Sequence, residues 1–395
     1  MTFIPKKRRL SQFCCNYIRV MYNIMGMKKL FILAAGFFFL VFAGMFFINF
    51  YDESPENVYT NSKVGLILNG TIDDRSYSQS HYDGLKVALE GAKDIVFVYK
   101  ENISNGEPFI AAVDELVTAG CRIIIANSYN YTEDLYKATD KYPYVYFFHA
   151  SGLGKRPNLT TFFGRMYQVR YLTGIVAGMQ TKTGKIGYVA AFPIDEVNRG
   201  INAFAMGVRL VNPDAEVFVE WSDSWLDEGA NRLATQKLIF EKGIDVLTVH
   251  TDTLVPFEEA DKNGIWTIGY NFDNEKLFPE TYLTGAVWNW QEFYKEKIFE
   301  LISGKLRGGY FWNGIEDGIV MLTNLTDNVA DKERVQYIVS RELKKILVNN
   351  RDIFFGPIYD NNGELRVPDG CCMTDEAILR DFNWYVEGVK IGDAQ

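Results

Sequence analysis

Lys63-Val-Gly-Leu-Ile-Leu-Asn-Gly-Thr-Ile-Asp-Asp-Arg-Ser-Tyr-Ser-Gln79 runs from an apolar stretch into a polar loop and then into helical apolar spacing. A strand without polar alternation is buried on both faces, which requires helices above and below its sheet. The pattern repeats. Strand-like runs at Val64–Leu68, Ile95–Tyr99, Arg122–Ala126 and Tyr144–Phe148 are separated by helical spacing over Ser80–Glu90, Pro108–Ala119 and Thr132–Lys141. A second series follows at Lys185–Ala190, Ala215–Trp221, Ile244–Val249 and Ile265–Tyr270, and its opening Lys185-Ile-Gly-Tyr-Val-Ala190 is built like the first. Alternating strands and helices predict an α/β protein with parallel sheets, and two series predict two lobes.

The tail breaks the rhythm. Ile319–Leu322 is strand-like, Asp331–Leu347 is a charged amphipathic helix, and Asp360-Asn-Asn-Gly363 is a hairpin turn between extended runs. Such a tail is expected to cross back to the first lobe. Residues 63–180 with part of 310–395 then form the N-terminal lobe, and 184–305 form the C-terminal lobe. Lobes joined by several crossings make a hinge, and the cleft between them is where a small ligand sits.

Ahead of the body, residues 1–29 carry seven basic side chains and no acid, and Leu30–Phe50 is apolar except for Asn49. This length suits a transmembrane helix at about 1.5 Å per residue. Lys28 and Lys29 place the N-terminus in the cytoplasm and the body outside. The run lacks a small-x-small cleavage site, so an uncleaved anchor is favoured over a signal peptide. Met27, just before Lys28, is an alternative start. Residues 51–62 read as a polar linker.

The chain has 395 residues and a net charge of −9, and removing the basic segment leaves 34 basic against 50 acidic residues. An acidic body argues against nucleic acid as a partner. Cys14, Cys15, Cys121, Cys371 and Cys372 show no disulfide spacing. His81, His149 and His250 are not at metal-ligand spacing, and no Gly-x-Ser-x-Gly, Cys-x-x-Cys or Walker-type loop occurs. Asp73-Asp74 as an acid/base pair, or His250-Thr-Asp252 as a relay, is outweighed by ordinary loop and strand-end roles. No enzyme, metal or cofactor is expected.

In parallel α/β sheets ligands lie beyond the carboxyl ends of the strands. The loops there pair aromatics with amides and carboxylates: Asp74, Tyr77, Ser78 and Gln79; Ser128 and Tyr129; Phe192; Asp252; Tyr270 and Asp273; and Trp288. Aromatic faces stack on a flat heterocycle, and the polar groups read its edge. Helix caps and core closure are the competing explanation for any one of these residues, and the repetition over six strand ends carries more weight.

Six ordered stretches add a resemblance: Ile72–Gln79; Gly164-Arg-Met-Tyr-Gln-Val-Arg-Tyr-Leu-Thr-Gly174; Phe192–Phe204; His250-Thr-Asp252; Val287-Trp-Asn-Trp290; and Phe355-Gly-Pro357 with Asn383-Trp-Tyr-Val-Glu-Gly388. Together they resemble the basic membrane protein family of solute-binding proteins, which includes purine nucleoside receptors feeding ABC importers. The resemblance spans about Lys63 to Gly392. It implies a type I-like periplasmic-binding-protein fold, a purine-type ligand, an ABC permease as partner and a monomer. By position it implies that Tyr77 stacks on one face of the base and Phe192 on the other, with Asp252 and Asp273 at ribose or base edge. Ser78 departs from the family's usual Asn. Trp288 and Trp290 stand where smaller or basic residues are usual, which favours a free base by filling the ribose space. A membrane-anchored sensor with the same fold is the alternative.

Overall fold

The computed structural model describes residue 59 and residues 63–92, 95–349 and 352–392. The basic segment 1–29, the apolar run 30–50 and nearly all of the linker 51–62 lie outside them. Among the described residues no helix is long and apolar enough to cross a membrane.

The first series folds as β1 (Lys63–Ile67), α1 (Tyr77–Ala88), β2 (Phe97–Lys100), α2 (Glu107–Thr118), β3 (Cys121–Ala126), α3 (Thr132–Lys141), β4 (Tyr146–Ala150) and β5 (Leu159–Gly164). α4 (Met166–Gln180) leads into the second series: β6 (Lys185–Ala190), α5 (Asp195–Val211), β7 (Glu216–Trp221), α6 (Glu228–Gln236), β8 (Val246–His250), α7 (Val255–Lys262), β9 (Trp266–Asn271) and β10 (Tyr282–Trp288). α8 (Trp290–Ile302), β11 (Tyr310–Asn313), β12 (Val320–Leu322), α9 (Lys332–Asn349), β13 (Ile358–Tyr359), β14 (Leu365–Val367), α10 (Asp375–Arg380) and β15 (Val389–Ile391) complete it.

Two sheets result. The first has order β11-β5-β4-β3-β1-β2 and is parallel throughout. The second has order β12-β10-β9-β8-β6-β7-β15, with only β12 antiparallel. Helices cover both faces of each, as uninterrupted apolar strands demand. On the first sheet, Ile67, Ile124 and Phe147 pack under Phe109, Val113 and Leu135. On its other face, Leu66, Ile125 and Phe148 meet Leu85, Phe293 and Ile298.

Packing exchanges two helices that chain order assigns otherwise. α4, within 63–180, lies on the second sheet, where Leu172, Ile175 and Val176 pack with Phe204, Val208, Val335 and Val339. α8, within 184–305, lies against α1 of the first lobe. Of the tail, only β11 joins the first sheet; β12, α9 and β15 build onto the second lobe. The reason is burial. α4 is buried along nearly its whole length, so it needs partners on every side, and α5, α9 and β10 supply them. The Asp360–Gly363 turn does close a hairpin, with β13 and β14 antiparallel.

The chain therefore passes between lobes three times: after β5, between β10 and α8, and between β11 and β12. The crossings are bonded to one another. Arg165 N donates to Asn313 O at 2.8 Å, Ile315 N to Gln168 Oε1 at 3.0 Å, and Asn289 N to Ile319 O at 2.8 Å.

α4 and α5 approach closely enough that glycine is required at the contact. A Cβ on Gly174 would collide with the Phe204 carbonyl, and one on Gly207 with the Tyr171 carbonyl. Backbone cannot yield as a flexible side chain does. Gly174→Ala should therefore lower unfolding free energy by about 1–3 kcal/mol, as overpacking does, measured by the midpoint of urea denaturation against wild type.

Candidate functional site

The carboxyl ends of β1, β3, β4, β6, β8 and β9 converge on a cavity between the lobes. Asn69, Tyr77, Ser128, Tyr129 and Ser151 line it from the first lobe, and Glu196, Trp225, Asp252 and Tyr270 from the second. As the lobes stand, the cavity is only about 30 Å³, room for a water or two. That is less than an aromatic ring needs.

Tyr77 faces the cavity from the first lobe. It opens α1, is buried, lies edge-on to His81 at 4.6 Å and to Trp288 at 6.3 Å, and places its hydroxyl 3.5 Å from Ser151 Oγ. Burial holds that hydroxyl well above its ordinary pKa, so it remains a neutral donor and acceptor.

Asp252 follows β8. Its Oδ1 accepts from Asn271 Nδ2 at 2.8 Å, and its backbone N–H donates to Trp225 O at 2.8 Å. Burial raises its pKa well above the ordinary carboxylate value, and the negative charges of Asp74 and Glu196 add to the rise. None of the residues lining the cavity is basic. Arg170 is fully buried behind Tyr270. It donates to Thr248 Oγ1 at 3.2 Å and Val249 O at 2.6 Å, and its guanidinium lies 3.9 Å over the Tyr270 ring. This fixes Tyr270 in place. His250 is pushed down to about 4 by burial and is neutral, so its 3.6 Å separation from Glu196 is not an ion pair.

The expected residues divide into two groups. Tyr77, Ser128, Tyr129, Asp252 and Tyr270 do line the cavity. Others serve the scaffold. Asp74 caps the start of α1, accepting from the backbone N–H groups of Ser76, Ser78 and Gln79 at 2.8 to 3.0 Å. Ser78 Oγ joins a buried network with Asn69, Gly70 and Asn127. Gln79 bonds Asp83 along the helix and accepts from Arg75 N. Asp273 is exposed and closes a turn onto Glu275 N at 3.1 Å. Phe192 does not line the cavity; it lies edge-on to Trp225 at 5.5 Å, and Trp225 is the ring that reaches it. Trp288 does not line it either. It stacks on Trp290 at 4.4 Å, donates from Nε1 to Asn271 Oδ1 at 2.8 Å, and stands behind Tyr77 at the hinge.

Asn69, Ser151, Glu196 and Trp225 complete the lining. Asn69 and Glu196 stand in strand-end stretches already singled out. Ser151 and Trp225 follow β4 and β7, and applying the strand-end rule to those two strands would have found them.

A larger cavity of about 350 Å³ lies on the second lobe among α5, α9 and the tail, lined by Met206, Arg209, Glu342, Lys345, Asp352 and Phe355 among others. Its charges pair with one another, Lys345 with Glu342 at 2.9 Å and Arg209 with Glu387 at 3.1 Å. It lies away from the strand ends, and the interlobe cleft is the better candidate.

Residues 61–351 match the model of a protein family described as ABC transporter substrate-binding protein, PnrA-like. The chain belongs to that family. It is 31% identical over 328 residues to the purine-binding protein BAB2_0673 of Brucella abortus, covering 83% of this chain and 92% of that one. It is 35% identical over 268 residues to a putative ABC transporter glucose-binding protein, TsgA13, of Haloferax volcanii, covering 68% of this chain and 65% of that one. A solved ABC transporter solute-binding protein from Aeropyrum pernix shares the fold, with a TM-score of 0.62 at 17% identity over 76% of this chain and 93% of that one. The two-lobed periplasmic-binding-protein architecture is thus common to this chain and its structural neighbours.

The raised Asp252 gives this PnrA-like protein a pH signature. A carboxyl whose pKa the fold raises costs stability above the unfolded pKa of about 4, and the cost grows until the folded pKa is passed. Asp252→Asn keeps the acceptor toward Asn271 and removes the charge. Its melting temperature should exceed that of wild type at pH 7 and match it near pH 3.5; a difference independent of pH would contradict the assignment.

Proposed function

We propose that this chain captures a purine base outside the cytoplasmic membrane by closure of its lobes and delivers it to an ABC importer, without chemistry on the ligand. The observation that carries this reading is the pairing across the cleft of aromatic Tyr77 with Trp225 and Tyr270, beside the acceptor carboxylates of Asp252 and Glu196. Flat rings supply stacking, and carboxyl groups, which accept when ionised and also donate when protonated, suit the polar edge of a nucleobase. With no basic residue on the lining, a phosphate or carboxylate ligand would find no positive charge to offset its own. The purine-binding name of the Brucella relative supports the same ligand class. The free base demands the smaller opening of a cleft that now holds only a water or two, which favours it over a nucleoside.

Binding by closure needs the ligand to contact both walls, so that the closed state gains affinity that the open state lacks. Tyr77 and Ser128 come from one wall, Trp225 and Asp252 from the other. The basic segment and apolar run before residue 51 tether the body to the membrane in this reading.

Isothermal titration of the full-length protein in detergent with adenine, adenosine and glucose tests the reading. Adenine should bind more tightly than adenosine, and glucose should give no heat. Tyr77→Ala and Trp225→Ala should each weaken adenine by about 1–3 kcal/mol without loss of fold. Glucose binding in place of adenine, or affinities unmoved by both substitutions, would discard it.

A further inference from the structure

Asn271 is the last residue of β9, 1% exposed, and its single amide reaches three separate parts of the molecule. Nδ2 donates to Ser76 Oγ at 3.0 Å, which belongs to the opposite lobe and directly precedes Tyr77. Nδ2 also donates to Asp252 Oδ1 at 2.8 Å, on the cavity wall. Oδ1 accepts from Trp288 Nε1 at 2.8 Å, at the end of β10 where the chain crosses between lobes. An indole N–H can only donate, so the atom facing it must be the oxygen. Both amide hydrogens are then committed, one to the cleft carboxylate and one to the other lobe.

We propose that Asn271 is the positioning residue that links occupancy of Asp252 to closure of the lobes. A ligand N–H on Asp252 favours its ionised form, and an ionised carboxylate is the stronger acceptor for the Asn271 amide. That bond, with Trp288 on the far side, fixes the amide plane and aims the second hydrogen at Ser76. The closing bond thus falls one residue from the ring that faces the ligand. The backbone at Asn271 has φ of +67°, a left-handed conformation that Asn tolerates and bulkier residues do not. Aspartate would lose both donations, and alanine would lose all three bonds. A second seam contact, Asn274 Nδ2 to Arg75 O at 3.1 Å, joins the same two loops without touching Asp252 and serves as the control.

This proposal rests on the cleft being the ligand site, and the test separates the two. Dissociation of adenine from the full-length protein in detergent is followed by stopped flow in wild type, Ser76→Ala, Asn271→Asp and Ser76→Ala/Asn271→Asp, with Asn274→Ala beside them. Spin labels, one on each lobe, report the interlobe distance in the same proteins. Ser76→Ala should speed dissociation about 5–10-fold, the loss expected for one hydrogen bond, and Asn271→Asp, which gives up two donations, should speed it at least as much. The double variant should be no faster than the faster single one, and both single variants should shift the distances longer. In a Ser76→Ala/Asn274→Ala double variant made alongside, the two single effects should multiply. Dissociation within twofold of wild type in Ser76→Ala, or effects that multiply in the double variant, would overturn the proposal. If wild type takes up no adenine, the purine reading falls, and unchanged interlobe distances in Ser76→Ala and Asn271→Asp would overturn the closure role by themselves.

Discussion

Three strands of chain pass between the lobes, and hydrogen bonds bind them into one ribbon. Arg165 holds Asn313 and the Trp312 carbonyl, Gln168 holds Ile315, and Asn289 holds Ile319. Two bodies joined at three bonded points cannot slide or separate; they can only turn about an axis near the ribbon. The motion that remains opens the face carrying the carboxyl ends of the strands. The same ribbon explains the exchange of α4 and α8. Each crossing delivers the next helix to the opposite lobe, so each lobe is completed by a helix that its own series lacks. Arg165 extends this arrangement into the tail through Asp375, with Nη2 2.6 Å from a carboxylate oxygen.

The cleft that the hinge closes is defined by where charge is allowed. Asp252 and Glu196 face it while the buried guanidinium of Arg170 is turned behind Tyr270 and spent on Thr248 and the Val249 carbonyl. A carboxylate there gains little from the protein and must be satisfied by what the cleft holds. Asn271 is the exception that ties it to the seam. Membership of the PnrA-like substrate-binding family, matched over residues 61–351, sets the general role, and the placement of charge is what the proposed ligand class is read from.

The alternation of apolar runs with helical spacing determined both α/β series and the residues at their strand ends, because strand burial and helix amphipathicity are local patterns with fixed periods. Tyr77, Ser128, Tyr129, Asp252 and Tyr270 could be named from that rule alone, since it depends only on where a strand stops. Which lobe owned α4, α8 and the tail was decided by tertiary packing, because neither a helix buried nearly all round, as α4 is, nor a single apolar face carries a mark of its partner. The same holds for the aromatic wall. Phe192 and Trp225 both follow strands of the second lobe, and only their mutual packing puts Trp225 in front. Trp288, a plausible wall in sequence, is drawn behind Tyr77 by its indole bond to Asn271. Such choices arise from contacts between residues distant in the chain, and a linear pattern does not record them.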